Sequence, residues 1–495
     1  MTVVVNTRED VTLAAYRRVA YGGELVEFGR DARRAMEARR EALRSASGPE
    51  GAQPPSDSGN GAGTGREVAE NLDLWATEAG PSRGFSGGDL DEPVVRGIVF
   101  ARMTNLVGGR APVRPAVCDR VAALLSGPPL PRVPLYGETG PGEALPLACV
   151  FGDLDRADLD RAEEEALLGG SPCSAALVAD TAMHARHRLE HAEMIFALSI
   201  EAFRAPMGAY DPALDDLYGD PYEAEALRSL RAYLEGVDSA GRRFHQAPVS
   251  YRIIPRVLGQ VRRAVAAVEK AASVSLRAVT DDSAHLAPDR HRSPGRGLSG
   301  SGAHNALAYP ALNALSVAWA DLALLGERQV TALNTAEVSE LPFSLAVPDF
   351  PRSGTYAYGW AASGFVEEAR AAAAPALLPA VAGDPYDDIM SPTFVSYRRE
   401  RRAAECLDGA LTILALVSSQ ALYVTERTPP PGLAPLLAFV RSHFRPIVDI
   451  KERKLSEEAT RLQGALSEAA LTGSLSPAPT SAGEELSTTS TKGVS

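Results

Sequence analysis

The segment Val133–Ala148 (VPLYGETGPGEALPLA) carries a tyrosine and two carboxylates around a glycine-rich turn. Tyr136, Glu138 and Glu143 bracket the triplet Gly140-Pro141-Gly142, and the residues that follow are typical of the start of a helix. Carboxylates near a helix N-terminus often serve as caps or complement the helix dipole. If the turn lines a pocket, the same side chains are candidates for general acid–base catalysis. Both interpretations stay open at this point.

A second group of residues has the composition of a metal site. His184, His187 and His191 are spaced by three and four residues, so all three lie on one face of a predicted helix. Three imidazoles on one face can bind zinc or another transition metal. One helix rarely supplies three ligands at tetrahedral angles, however, and the nearby Glu190 and Glu193 favour a polar face paired with carboxylates. We therefore predict no metal site.

Composition excludes several classes of protein. The 495 residues contain 50 Lys and Arg against 63 Asp and Glu, for a net charge of −13. A protein that binds the phosphate backbone needs a basic surface, so nucleic acid is not an expected partner. The four cysteines contain no CxxC pair, which argues against a disulfide framework and a zinc finger. These features predict an acidic globular protein of a reducing compartment.

No targeting signal or membrane span is expected. The apolar start, Met1–Asn6, is too short for a signal peptide and lacks a basic leader. Apolar stretches such as Leu411–Leu422 contain Ser and Gln and are shorter than the ~20 residues that cross a bilayer. The predicted location is the cytoplasm.

Helical periodicity dominates the chain. Apolar residues recur every three or four positions in segments rich in Ala, Leu, Arg and Glu, and alternating strand patterns are few. The predicted fold is therefore mainly α, with long helices in a bundle. The predicted helices are Asp31–Leu43, Leu159–Leu168, Ala175–Phe203, Pro255–Val274, Leu312–Leu333, Ala403–Val424 and Leu433–Phe444. Three Gly-, Pro- or Ser-rich segments, Ser45–Gly65, Ala287–Gly302 and Ser474–Ser495, are predicted to be disordered or mobile.

Several motifs occur in an order and spacing that resemble the histidine and aromatic amino-acid ammonia-lyase family. The resemblance runs from about Thr7 to about Val448 and rests on the colinear set rather than on any single motif. The motifs are Glu92–Val117 (EPVVRGIVFARMTNLVGGRAPVRPAV), Val133–Ala148, Gln246–Gly259 (QAPVSYRIIPRVLG), Gly297–Ala308 (GLSGSGAHNALA), Ala320–Gln329 (ADLALLGERQ) and Ser391–Arg399 (SPTFVSYRR). The resemblance implies a helical subunit with a long central bundle, assembled as a homotetramer with pockets shared between subunits.

The chain departs from the family at the prosthetic group. Family members form methylidene-imidazolone (MIO), an electrophile, from an internal Ala-Ser-Gly triplet by cyclisation and loss of the Ser hydroxyl. The matching residues here are Gly140-Pro141-Gly142. Proline has no hydroxyl to eliminate, so no MIO is expected as a cofactor. Cyclisation in another frame, through Thr139 of Glu138-Thr139-Gly140, stays an alternative.

Other functional positions of the family are also changed. Val249 stands where the family has a tyrosine, and the family's catalytic Tyr loop corresponds to Ser45–Gly65. Gly169 replaces the Asn of an Asn-Gly pair, and Ser391-Pro392 replaces a Gln-Glu pair. The His expected after Asn71-Leu72 has no counterpart. Without the electrophile and both tyrosines, ordinary amino-acid deamination lacks an acceptor and a base.

Five polar residues of the implied pocket are retained. Arg252 matches the family's arginine for a substrate carboxylate, a task that suits its planar fork, although an Arg paired with a neighbouring carboxylate is equally compatible. Gln246 and Ser250, from the same motif, are predicted to bind substrate beside it. His304 and Asn305 match the region of the family's loop histidine, where an imidazole can act as general acid or base. A solvated loop His is the alternative.

The sequence thus predicts an ammonia-lyase-like enzyme without MIO. It would act on a small carboxylate-bearing or acyl substrate by lyase, isomerase or cyclase chemistry, in a biosynthetic pathway of specialised metabolism. The catalytic candidates are His304, Glu138, Glu143 and Tyr136. A non-catalytic binding or scaffold protein is the alternative, and a true ammonia-lyase or aminomutase with a frame-shifted prosthetic group is a third hypothesis.

Three domains are predicted along the chain. Residues 1–205 would form an N-terminal domain with the altered MIO loop, and residues 206–448 the central and C-terminal helical bundle. Residues 449–495 would form a C-terminal helix and a disordered tail.

Overall fold

A computed structural model describes most of the chain. The described residues are 1–46, 88–108, 113–127, 129–136, 142–152, 154, 158–238, 241–242, 246–281, 284–286, 296–298, 300–348, 350, 353–380, 388–448, 450 and 453–475. The structure is 69% helical with few strands, which confirms the mainly α fold.

The helices range from single turns to 32 residues. In chain order they are α1 (Leu13–Ala20), α2 (Arg30–Ala46), α3 (Glu92–Gly108), α4 (Pro115–Ala123), α5 (Ala144–Phe151), α6 (Arg161–Leu168), α7 (Pro172–Phe203), α8 (Ala213–Tyr218), α9 (Pro221–Tyr233), α10 (Val249–Arg252), α11 (Ile254–Arg277), α12 (Ala308–Asn334), α13 (Ala336–Ser339), α14 (Tyr356–Ala372), α15 (Thr393–Val424), α16 (Ala434–His443) and α17 (Leu455–Thr472). Short 3₁₀ turns lie at Arg8–Asp10, Met207–Tyr210, Phe343–Leu345 and Pro431–Leu433.

Each of the seven predicted helices coincides with an observed one. The largest difference at an N-terminus is at α15, which begins at Thr393 rather than Ala403. At α6 the difference is two residues, because the helix begins at Arg161 rather than Leu159. Asp160 is its N-cap: the Asp160 side chain accepts from Glu163 N at 3.1 Å, and Glu163 Oε2 accepts from Asp160 N at 3.1 Å. This reciprocal capping box fixes the start of α6 at Arg161, because Asp160 itself takes extended rather than helical backbone angles.

Two small sheets account for the strands. β1 (Thr2–Val5) pairs in parallel with β2 (Leu25–Phe28), and β3 (Ala284–Leu286) pairs antiparallel with β4 (Arg296–Leu298). The second pair corrects the prediction that Ala287–Gly302 is wholly a mobile loop. Residues 296–298 are instead held by a backbone ladder to residues 284–286, and residues 287–295 lie outside the described part of the chain. The predicted disordered segments Ser45–Gly65 and Ser474–Ser495 also lie almost entirely outside it.

The chain divides into two compact units that are not contiguous in sequence. Unit 1 contains Met1–Met183, Arg263–Ala320 and Glu367–Ala404, and unit 2 contains His184–Arg262, Asp321–Val366 and Glu405–Ser495. The domain boundaries predicted after residues 205 and 448 stay predictions.

Within the described part of the chain, two helices are long and apolar enough to cross a membrane by length and composition. These are α12 and α15, whose most apolar windows are 61% and 83% buried inside the protein. Core helices of globular proteins meet the same criterion. α15 includes Leu411–Leu422, the apolar stretch that by itself is too short to span a bilayer. The burial is what a core helix requires, because its apolar surface is removed from water.

Candidate active site

Unit 1 contains a cavity of about 560 Å³, called the pocket below. Its described lining comes from four parts of the chain: residues 142–144, residues 168–170, the loop 300–306 with Tyr309, and Leu378 with residues 388–392. The lining combines apolar side chains, such as Leu168 and Ile389, with a few polar ones. This volume and this composition are typical of sites for small molecules.

Two glycines of the lining lie in close contact with other segments of the chain. Gly142 has φ +62°, and a Cβ there would lie 2.7 Å from Ala303 Cβ. Gly170 has φ +78°, and a Cβ there would lie 2.6 Å from Thr280 Oγ1. Both positions therefore need glycine for their backbone angle and for the space. Thr280 Oγ1 also accepts a hydrogen bond from Ser171 N at 3.1 Å, which ties the 168–170 wall to the end of α11.

Glu143 is the buried carboxylate of the pocket. Its two oxygens accept hydrogen bonds from the first turn of α7, Oε2 from Cys173 N at 2.6 Å and Oε1 from Ser174 N at 2.7 Å. Burial raises the pKa of Glu143 to about 7, and the donors from Ser174 and Cys173 only partly offset that rise. The side chain thus caps the N-terminus of α7, the structural role that the sequence left open beside a catalytic one.

Arg102 lies behind the 168–170 wall and was not singled out from the sequence. It is fully buried in α3. Nη1 donates to Ala166 O at 2.9 Å and Nη2 to Gly169 O at 2.6 Å. Burial lowers its pKa. The guanidinium therefore binds carbonyls at the C-terminal end of α6, where a cation is favourable. The one signal in the sequence is an arginine inside the apolar run VVRGIVFARM.

His304 and Asn305 lie in the pocket, in the loop that leads into α12. His304 is half-buried, and its main-chain N–H donates to Ser301 O at 3.0 Å. Asn305 Nδ2 donates to Ser275 Oγ at 2.8 Å, and Asn305 Oδ1 accepts from Ala308 N at 3.2 Å. Asn305 thus fixes the loop to α11 and caps α12, which positions the backbone of the neighbouring His304.

Three of the predicted turn residues are not placed by the structure. Glu138, Gly140 and Pro141 lie outside the described residues, whereas Gly142 and Glu143 line the pocket. Tyr136 is 50% exposed and is not among the described lining residues. Its ring lies 4.1 Å from the guanidinium carbon of Arg398, which covers it.

Arg252, Ser250 and Gln246 belong to unit 2, whereas all the described lining of the pocket belongs to unit 1. Arg252 Nε donates to Ala247 O at 3.0 Å. Ser250 is buried and its carbonyl accepts from Gln329 Nε2 at 2.9 Å, while Gln246 is exposed. Their role in binding substrate stays a prediction.

The histidine face of α7 is associated with charged neighbours. His187 Nδ1 lies 3.6 Å from Glu190 Oε2, and Arg188 forms a two-bond ion pair with Asp408 at 3.0 and 3.1 Å. Burial, with a contribution from Arg188, lowers the pKa of His191 to about 4. Among the described residues no group of three His, Cys, Asp or Glu side chains is arranged to hold a metal ion.

Four polar lining residues were not predicted as functional. Asp388, Tyr309 and Ser301 contribute a carboxylate and two hydroxyls, and Ser391 was noted only as a replacement for a family residue. The sequence signal for Asp388 is its place in the acidic run DPYDD, which periodicity does not distinguish from an ordinary surface loop.

Comparison with known proteins gives the same assignment as the motifs. The family model described as aromatic amino acid lyase matches residues 11–155 and 152–442. The histidine ammonia-lyase of Geobacillus thermodenitrificans (strain NG80-2) is 27% identical over 483 residues, covering 90% of this chain and 93% of that protein.

Solved structures share the fold at low sequence identity. Histidine ammonia-lyase from Trypanosoma cruzi matches with a TM-score of 0.76 and 19% identity, over 96% of this chain and 95% of that one. Ergothionase from Treponema denticola matches with a TM-score of 0.79 and 15% identity, over 95% and 99%. Tyrosine aminomutase from Streptomyces globisporus matches with a TM-score of 0.76 and 20% identity, over 95% and 98%. Because the family model spans most of the sequence, this chain belongs to the aromatic amino acid lyase family.

Proposed function

We propose that this chain is an ammonia-lyase-type enzyme that acts on a small amino-acid-like substrate in the pocket without an MIO group. Its chemistry would be a lyase, isomerase or cyclase step driven by proton transfer. The relatives named above include ammonia-lyases and an aminomutase, which supports an amino-acid-like substrate. A cytoplasmic homotetramer in a biosynthetic pathway is part of the same proposal.

The pocket with His304 in its wall is the observation that carries this proposal. The imidazole lines a cavity of about 560 Å³ that also contains the turn at Gly142 and Glu143. Imidazole is the side chain best suited to proton transfer near neutral pH. Asn305 holds the histidine loop to α11 and to the start of α12, which fixes the backbone that carries His304.

The residues at the turn do not fit the family's prosthetic group. Formation of MIO needs a hydroxyl to eliminate and a triplet whose nitrogen attacks a carbonyl two residues earlier. Pro141 has no hydroxyl, and its ring nitrogen carries no hydrogen. The proposed reaction therefore includes no step through an electrophilic ring.

The described residues suggest a division of tasks. His304 accepts or donates the proton, and Tyr309 and Ser301 offer hydroxyls to polar groups of the substrate. Glu143 holds α7 in place and Arg102 holds the 168–170 wall through Gly169 O. Arg252 as an anchor for a substrate carboxylate is a proposal that an Arg252→Ala variant tests, since unchanged ligand binding would exclude it.

Intact mass spectrometry of the purified chain tests the absence of the ring directly. We expect the mass of the unmodified sequence. A mass lower by two waters, about 36 Da, would instead support the frame-shifted prosthetic group, because ring closure and side-chain elimination each release one water.

Turnover tests whether the protein is an enzyme. Incubation with a panel of aromatic and imidazole amino acids should give a product that a His304→Ala variant forms at least about 100-fold more slowly. Thermal stabilisation by several panel members with no turnover of any would support a binding protein instead.

A further inference from the structure

Two walls of the pocket contact the same residue of unit 1, Thr280, which follows α11 in the chain. In one wall, a Cβ at Gly170 would lie 2.6 Å from Thr280 Oγ1, and Ser171 N donates to that oxygen at 3.1 Å. In the loop that forms the other wall, a Cβ at Gly302 would lie 2.2 Å from Thr280 O and 2.8 Å from Thr280 C. Thr280 therefore contacts one wall through its hydroxyl and the other through its main-chain carbonyl.

The contact between Gly302 and Thr280 involves main-chain atoms on both sides. A Cβ closer than 3.0 Å to a backbone atom forces one of the two segments to move, because a carbonyl group cannot rotate aside as the end of a long side chain can. The same limit applies at Gly170, where a Cβ would also lie 2.8 Å from Thr280 O. A displacement of Thr280 therefore displaces at least one of the two walls.

The position of Thr280 is set in turn by α3. Asn105 Nδ2 donates to Asp281 Oδ1 at 2.8 Å and to Thr280 Oγ1 at 3.3 Å. Thr104 Oγ1 donates to Leu276 O in the last turn of α11. Thr104 and Asn105 are both buried, where water does not replace a lost hydrogen bond. The end of α11 and the residues after it thus form a fixed support for the two walls.

The loop that packs on Thr280 carries the imidazole of the proposed reaction. His304 follows Gly302 by two residues, and Asn305 Nδ2 donates to Ser275 Oγ at 2.8 Å. The loop is therefore attached to the region of α11 on both sides of His304. If Thr280 moved, the loop would shift before His304 while Asn305 held it after His304, which would change the position of the imidazole.

We propose that Thr280 is a positioning residue of the pocket and sets the distance between the 168–170 wall and His304. Its hydroxyl accepts from the wall and its carbonyl supports the histidine loop, so a change on one side is transmitted to the other. The inference rests on the proposed function, because it assigns to Thr280 the geometry that proton transfer by His304 requires. A misplacement of about 1 Å can lower a rate about 100-fold, so turnover depends strongly on this geometry.

Hydrogen exchange followed by mass spectrometry tests the coupling between the two walls. Thr280→Val keeps the branched shape of the side chain and removes the acceptor of the Ser171 N–H. We expect exchange to become at least about fivefold faster in residues 168–171 and also in residues 300–306. Gly302→Ala presses on Thr280 from the loop and should accelerate exchange in the same two segments.

Each of these variants has a matched control in unit 2. Thr412→Val removes a buried hydroxyl that donates to Asp408 O at 2.8 Å. Gly464→Ala adds a methyl group to an exposed position of α17, where nothing lies within 4 Å. Both controls should leave exchange in the two pocket segments at the wild-type rate.

A conservative variant tests the hydroxyl itself. Thr280→Ser retains the acceptor and should restore most of the wild-type protection in both segments. Thermal unfolding midpoints establish which variants are folded. If Thr280→Val does not fold, Gly302→Ala decides the coupling, because it perturbs the same contact from the loop.

Turnover separates positioning from a purely structural role. With a panel substrate that the wild type converts, Thr280→Val should lower kcat about tenfold or more and change KM by less than about threefold. Thr280→Ser should recover most of kcat, and Thr412→Val should leave both constants unchanged. A loss of stability alone would reduce the amount of folded enzyme and leave kcat per folded molecule at the wild-type value.

Three outcomes would overturn the inference. Faster exchange confined to residues 168–171 in Thr280→Val, and to residues 300–306 in Gly302→Ala, would show that the two walls move independently. Wild-type exchange in both segments of Thr280→Val would show that the hydroxyl holds neither wall. An unchanged kcat in folded Thr280→Val would show that His304 does not depend on Thr280. Absence of turnover in the wild type would count against the proposed function alone, because hydrogen exchange still decides the coupling.

Discussion

Glu143 Oε1 accepts a hydrogen bond from the main-chain N–H of Ser174 at 2.7 Å, across 31 residues of sequence. This bond joins the turn at the start of α5 to the first turn of α7, and both segments are buried. A residue that looked like a candidate acid or base is thus also a structural cap in the pocket.

Replacement of Glu143 by alanine should destabilise the protein. Two buried N–H groups, those of Cys173 and Ser174, would lose their acceptors, which we expect to lower the free energy of unfolding by about 2–4 kcal/mol. Urea unfolding followed by circular dichroism measures the change. Glu37→Ala, on an exposed position of α2, is the control and should change stability by less than about 0.5 kcal/mol. A similar small effect at Glu143 would contradict its role as a cap.

Stability should fall as the pH rises between about 4.5 and 7. Burial raises the pKa of both Glu143 and Glu193 to about 7 in the folded protein, from 4.5. The folded state therefore binds protons in this range that the unfolded chain has released, so these groups stabilise the fold at low pH and lose that contribution as the pH passes 7.

Unfolding by urea at several pH values, in the wild type and in Glu143→Gln and Glu193→Gln, measures this dependence. Each variant should show a flatter profile between pH 4.5 and 7 than the wild type. Glu37→Gln, which removes an exposed carboxylate of α2, should leave the profile unchanged. A stability that rises with pH in the wild type, and is insensitive to both buried substitutions, would show that the two carboxylates are ionised throughout.

Substitution of Gly170 by alanine should lower the free energy of unfolding by more than the strain of a positive φ angle alone explains. At Gly170 a Cβ would lie 2.6 Å from Thr280 Oγ1, whereas at Gly219, with φ +65°, nothing lies within 4 Å. We expect Gly219→Ala to lower the free energy of unfolding by about 1 kcal/mol and Gly170→Ala by about 2–4 kcal/mol. The difference between the two variants separates steric overlap from backbone strain. Equal losses of stability would mean that the 168–170 wall can shift away from Thr280 without an energetic cost.

Arg102 should not tolerate lysine. Its two terminal nitrogens donate to two different carbonyls, and a lysine ammonium lacks the planar fork that reaches both. We expect Arg102→Lys to lower the free energy of unfolding by about 1–3 kcal/mol. Arg34→Lys, on an exposed arginine whose side chain is 75% accessible, should be close to neutral in the same urea titration. A neutral Arg102→Lys would show that one carbonyl bond is sufficient.

Seven of the helices and the family assignment follow from the sequence alone. Segments such as Ala175–Phe203 combine strong helix formers with apolar residues at helical spacing, and this local signal survives in any tertiary arrangement. The colinear motifs extend over most of the chain, so the family was predictable even though the triplet at Gly140–Gly142 has changed. The structure differs from the local sequence pattern at β4, where residues with a composition typical of loops pair with β3.

The set of residues that line the pocket depends on the tertiary structure. Glu143 and Ser174 are 31 residues apart, and Asp388 lies 84 residues after His304, so no local pattern brings either pair into one cavity. Periodicity along the chain reports which face of a helix is apolar, whereas the partner of a buried polar group depends on which distant segment packs against it. That is why the helices were predictable from residue types and spacing, while the cap made by Glu143, the carbonyl contacts of Arg102 and the accessible charge of Asp388 emerged only from the folded chain.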